Sequence, residues 1–159
     1  KKPQANEEGF NSLNYLVGII MQEMLSKHTN IEFNIYPMYE KVIHINGMNY
    51  LAMHGHGIKG WAGVPWYGID RKANKESTKR LSAIMNAPNP DILMRVLGFH
   101  KMIFGHLHQN VDTNLWAGAA SVQGTTALDH KDGRYGDPGQ PAWLVHPVHK
   151  EFARTNFRL

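Results

Sequence analysis

At 159 residues, with 42% hydrophobic and 19% charged side chains, the chain has the composition of one globular domain or part of a larger one. Disordered, collagenous and coiled-coil classes are excluded. The absence of Cys also excludes disulfides and thiolate sites, so any metal must be held by His, carboxylate, amide or water. The net charge of +4 weakly favours an anionic partner, and ten His is a heavy allotment for this length.

Lys1-Lys2-Pro3 leads into polar sequence without the apolar run of a signal peptide, and the first residue is not Met. The expectation is a cytoplasmic segment of a longer protein. The longest uninterrupted apolar stretch, residues 16–21, falls far short of the roughly 20 residues a membrane span needs, so no membrane association is expected. Phe10, Leu13, Val17, Ile20, Met21 and Met24 recur at helical spacing, predicting a helix that lays one face on a sheet. A strand is expected over residues 31–36, ended by Pro37. Residues 41–45 and 48–53 flank Asn46-Gly47, the strongest short hairpin signal, and His44 inside the first strand reads as structural.

Residues 57–70, rich in Gly, Pro and aromatics, read as a long loop, followed by a helix over about residues 75–86. Asn89, Pro90, Asp91 and Gly98 punctuate a second short helix as cap, first position, dipole partner and terminator. Strands are expected at 101–104, 111–117, 119–122 and 142–145, with a long loop over 124–140 and a tail over 152–159. Helices mixed with strands predict an α/β layered fold.

The chemistry gathers on two His-x-His units, His54-Gly55-His56 and His106-Leu107-His108, each following an apolar strand. Strand ends in α/β sheets are where ligand-binding loops converge. Gly55 and Gly105 free the backbone for a sharp turn and close approach. Neutral imidazole is a good ligand for Zn, Mn and Fe, and alternate residues on a turn can aim two rings at one ion or at two adjacent ions. The remaining histidines His28, His100, His130, His146 and His149 lack this context and read as capping, surface or packing residues.

Residues 50–56 (Tyr-Leu-Ala-Met-His-Gly-His) and 102–108 (Met-Ile-Phe-Gly-His-Leu-His) resemble the last two motifs of the calcineurin-like metallophosphoesterases. The resemblance implies the C-terminal half of an α/β/β/α sandwich, a mixed sheet with flanking helices, with residues 1–159 forming a single partial domain. It also implies a metal-dependent phosphoesterase in which two divalent ions (Mn, Zn or Fe) share a hydroxide that attacks phosphorus. His54 and His106 would ligate one ion and His108 the other, and His56 would take the catalytic role of orienting substrate or supporting the ligands. The family's Asp-x-His, Gly-Asp-x-x-Asp and Asn-His motifs do not occur in the 159 residues. The expectation is therefore an N-terminal half elsewhere that completes the site. By itself the chain would hold at most one ion weakly, with little or no activity.

Between residues 57 and 80, Lys59, Arg71, Lys72, Lys75, Lys79 and Arg80 outweigh Asp70 and Glu76, leaving a net +4 equal to that of the whole chain. Trp61, Trp66 and Tyr67 interleave with them. Such a basic, aromatic insertion beside a phosphoesterase site predicts a surface for a phosphodiester, nucleotide or nucleic acid, with Lys59, Trp61, Trp66, Tyr67, Arg71 and Lys72 as contacts. The alternative, from another class, is a nucleic-acid-binding or interaction module without catalysis. An exposed sheet edge offers a route to a homodimer.

Overall fold

The computed structural model describes residues 13–56, 58 and 64–158. The chain divides into two compact units, Lys1–Lys41 and Val42–Leu159. In the first, helix α1 (Leu13–Met24) forms as the periodicity predicts, but Leu13, Val17, Ile20, Met21 and Met24 of its apolar face are exposed rather than laid on a sheet, and Phe10 lies outside the described residues. Within this unit Gly18 lies against Ile35, so closely that a β-carbon would meet Ile35 Cδ1 at 3.3 Å. The strand expected over residues 31–36 is absent: the segment runs without a ladder partner. Its alternating apolar residues satisfy a strand pattern, but a strand exists only where a neighbour takes its hydrogen bonds.

The second unit is built on a five-stranded mixed sheet and a two-stranded ribbon. Strands β1 (Glu40–Ile45) and β2 (Met48–Met53) form the expected hairpin. Asn46 and Gly47 turn it at φ 47° and 77°, the positive pair that a two-residue turn with right-handed twist requires. Helix α2 (Trp66–Met85) and helix α3 (Pro90–Leu97) follow. Strand β3 (Lys101–His108) pairs in parallel with β2 on one side and with β5 (Trp116–Ala120) on the other. The two-residue β4 (Val111–Asp112) closes the order β1-β2-β3-β5-β4, antiparallel to β5. A short helix α4 (Ala127–Lys131) precedes the antiparallel ribbon of β6 (Gly139–His146) and β7 (Lys150–Arg158).

Several boundaries differ from the sequence expectation. Residues 66–70 belong to α2 rather than to a loop. Trp66, Tyr67 and Gly68 are indifferent helix formers, but Ile69 and Ala73 bury themselves in the core and Pro65 suits the entry to a helix. Asn89 precedes α3 as expected but makes no side-chain cap bond. The strand expected at 111–117 breaks at Thr113, whose hydroxyl accepts from the backbone of Leu115 and Trp116. The expected 119–122 strand ends at Ala120 as the last part of β5, and the 124–140 loop contains α4 and the start of β6.

Alternation along the central strands sorts the layers. Leu51, Met102, Phe104 and Trp116 join Ile69 and Ala73 of α2 in the main apolar core. Tyr50 and Lys101, one residue out of phase, face the ribbon: Trp143 lies 6.0 Å from the Tyr50 ring and 4.9 Å below the Lys101 ammonium. Lys101 is fully buried and bridges Asp112 at 2.6 Å and Glu151 of β7 at 3.1 Å. Among the described residues no helix is long and apolar enough to cross a membrane.

Candidate functional site

Because β2 and β3 are parallel and pair Met53 with Phe104, the residues that follow them emerge together at one edge of the sheet. The backbones then stay in contact: Gly105 N–H donates to His54 O at 3.1 Å. Gly55 stands at φ 102°, and a β-carbon there would meet Gly105 O at 3.2 Å, so conformation and space both select glycine. Gly105 is less constrained, since a β-carbon would sit 3.7 Å from His54 O, an ordinary contact. After Phe104 the β3–β5 register shifts until His108 pairs with Ala120. Across that irregularity His106 and His108 both adopt positive φ, 67° and 55°, a conformation costly for any residue with a β-carbon.

This backbone brings His54 Nε2 and His106 Nδ1 to 3.2 Å, with ring centroids 5.0 Å apart in an edge-on arrangement. The His56 ring is exposed, 6.0 Å from that of His54. Burial and the charges of His56 and His108 depress protonation of His54. His106 is depressed likewise by burial, then by the charges of His54, Arg134, His56 and His108. Both imidazoles therefore keep their neutral form, the form that ligates metals, to lower pH than an isolated histidine.

Histidine 108 turns elsewhere. Its Nδ1 donates to Asp129 Oδ2 at 2.8 Å. Asp129, on α4, is almost wholly buried and also accepts from Thr126 N–H at 3.0 Å and Thr126 Oγ1 at 2.6 Å. Its Oδ1 faces Arg134 Nε at 3.5 Å. Burial opposes the charge, but the bonds from His108 and Thr126 hold the carboxyl far below the usual carboxylate range. Thr126, Asp129 and Arg134 were no part of the sequence expectation. The spacing Thr126-x-x-Asp129 is nevertheless a capping-box signature, and both of its bonds are made.

The donor set can be tested against a divalent ion. Two imidazole nitrogens on one tetrahedral centre with bonds of about 2.0–2.1 Å stand roughly 3.3 Å apart, close to the 3.2 Å between His54 Nε2 and His106 Nδ1. The pair fits. The same distance is that of a hydrogen bond between the two rings, and among the described residues no group of three or more His, Asp or Glu is arranged to hold an ion.

Of the residues assigned to substrate, Lys59 and Trp61 lie outside the described residues. Trp66 packs its ring 5.2 Å from Trp116 and serves as an anchor of α2. Tyr67 is 80% exposed and shares an i, i+4, i+8 stripe with the exposed Arg71 and Lys75. Lys72 points to the side of the helix where buried Glu76 accepts from it at 2.8 Å, with Arg80 Nε at 3.9 Å from the same carboxylate. Burial would raise the Glu76 carboxyl, but the Lys72 bond and the charges of Lys72, Lys79 and Arg80 outweigh it and hold it below its ordinary value. The basic segment is thus divided between a cluster gathered around the single carboxylate of Glu76 and an exposed stripe. No protein-family model, curated protein or solved structure matches this chain.

Proposed function

We propose that the chain carries the C-terminal half of a metal-dependent phosphoesterase site of the calcineurin-like kind, acting on a phosphodiester or nucleotide. The observation that carries this reading is the 3.2 Å approach of His54 Nε2 and His106 Nδ1, from adjacent parallel strands, at one edge of the sheet. The two rings stand at a spacing that serves a mutual hydrogen bond when no ion is bound and ligation when one is, and the His106 backbone is strained to hold it. The ribbon on one face of the mixed sheet and α2 on the other are compatible with part of an α/β/β/α sandwich.

In this reading His54 and His106 hold one divalent ion, and His108 offers its Nε2 to a second. Such ions lower the pKa of water and neutralise charge on phosphoryl oxygens. His56, exposed beside His54, is placed to donate a hydrogen bond to a phosphoryl oxygen and so orient the substrate. The carboxylate and Asn ligands of the family's earlier motifs are to come from a preceding segment. The 159 residues by themselves should therefore hold one ion weakly and turn over little or no phosphodiester.

Titration of the chain with Zn²⁺ or Mn²⁺ by calorimetry, before and after His54→Ala and His106→Ala, tests this. Each substitution is expected to lower affinity at least about tenfold, while His28→Ala leaves it unchanged. A chain that binds neither ion, or binds equally well without His54, overturns the reading. The exposed Tyr67, Arg71 and Lys75 stripe favours a second reading, a surface for a nucleic-acid backbone that operates with or without catalysis.

A further inference from the structure

The buried carboxylate of Asp129 stands apart from the expected ligands, yet among the described residues no other acid is so fully enclosed. A capping box on a five-residue surface helix does not require burial, because Thr126 and the residue three positions on can exchange their bonds in water. Burying a carboxylate costs several kcal/mol unless its partners are well arranged. Here three donors converge on Oδ2, from Thr126 twice and His108 once, while Oδ1 accepts no hydrogen bond and has only the Arg134 charge at 3.5 Å. An ionised carboxylate only accepts, so the hydrogen between Asp129 and His108 belongs to Nδ1 of the imidazole. In the neutral ring, Nε2 is then left with its lone pair.

We infer that Asp129 is a positioning residue that locks His108 in the Nδ1–H tautomer and aims Nε2 outward as a ligand for a divalent cation. The inference rests on the metal reading above for the identity of the ligand, but not for the orientation of the ring. Thr126 holds the carboxylate from the helix side, with the Arg134 charge 3.5 Å from the other oxygen, so the ring orientation is transmitted from α4 to β3 without contact between Asp129 and the ion. Ligating histidines commonly rely on such a carboxylate behind them, and loss of the support lowers metal affinity about 10–100-fold.

The experiment separates this role from simple capping. Long-range ¹H–¹⁵N spectra of the metal-free chain near neutral pH report the tautomer of His108 directly. The wild type should show the Nδ1–H form, and Asp129→Asn should move it toward Nε2–H. Thr126→Val removes the hydroxyl bonds of the cap but keeps the carboxylate and the backbone N–H bond to it, and should preserve the tautomer. If Asp129→Asn does not fold, Asp129→Glu takes its place with the same readouts. A wild-type His108 that is Nε2–H overturns the inference, as does an Asp129→Asn chain that keeps the wild-type tautomer. A wild-type chain with the Nδ1–H form that binds no Zn²⁺ removes the metal reading and the ligand role of Nε2, while leaving the orientation of the ring by Asp129 established.

Discussion

His106 and His108 occupy left-handed backbone conformations, at φ 67° and 55°, two residues apart in one strand. For a residue bearing a β-carbon this region costs about 1–2 kcal/mol, and glycine escapes most of that cost. His106→Gly should therefore unfold at higher urea concentration than His106→Ala, by the equivalent of about 1 kcal/mol, although both lose the imidazole. Equal midpoints would show that the strand bears no strain at this position. His108 is expected to behave differently, because its removal strands the buried Asp129 without one of its donors. The two His-x-His units and their strand contexts were legible in the residues. The positive φ values were not, because they arise where the β3–β5 register shifts, and register depends on the partner strand.

At the scale of elements, α2 shows how a tertiary contact moves a boundary and sorts a charge run. Ile69 and Ala73 face the core, Trp66 rests on Trp116, and Asp70 accepts from the Trp116 indole at 2.8 Å. Those contacts extend the helix into residues whose own propensities are indifferent, which is why composition reads them as loop. The same helix period then places Lys72 and Arg80 around Glu76 while Tyr67, Arg71 and Lys75 share an exposed stripe. For a single-stranded oligonucleotide, Arg71→Gln with Lys75→Gln should flatten the dependence of log K on log salt by about 1.4, two phosphates at roughly 0.7 each. Lys72→Gln should leave that slope close to wild type, because its charge is already taken by Glu76. Anisotropy titrations across a salt series measure both, and an unchanged slope in the double variant rules out the stripe as a phosphate contact.

Across the second unit, the buried Lys101 joins the two sheets. Its ammonium reaches Asp112 on β4 and Glu151 on β7, and lies over Trp143 of β6. Arg154 adds contacts to both acids, at 3.5 and 3.0 Å, so neither depends on Lys101 alone. Replacement by Met should still destabilise the unit by about 3 kcal/mol, near the low end for breaking a buried pair, because two carboxylates keep only the half-exposed arginine. Urea denaturation checks this, and a Lys101→Met chain as stable as wild type would show that the ribbon is held by apolar contact alone. Nothing local marks this lysine: it reads as an ordinary basic residue at the start of a strand.

The amino-acid order alone determined the features whose physics is local. A two-residue Asn-Gly turn, apolar strands ending in His-x-His and a helix punctuated by Pro90 and Gly98 each follow from the conformational limits of a few neighbouring residues. Tertiary structure decided what depends on distance through space: the parallel pairing that sets His54 beside His106, the carboxylate of Asp129 behind His108, and the enclosure of Lys101. Such contacts join residues about ten to fifty positions apart, and their free energy comes from burial and complementary charge that exist only once the sheet has assembled.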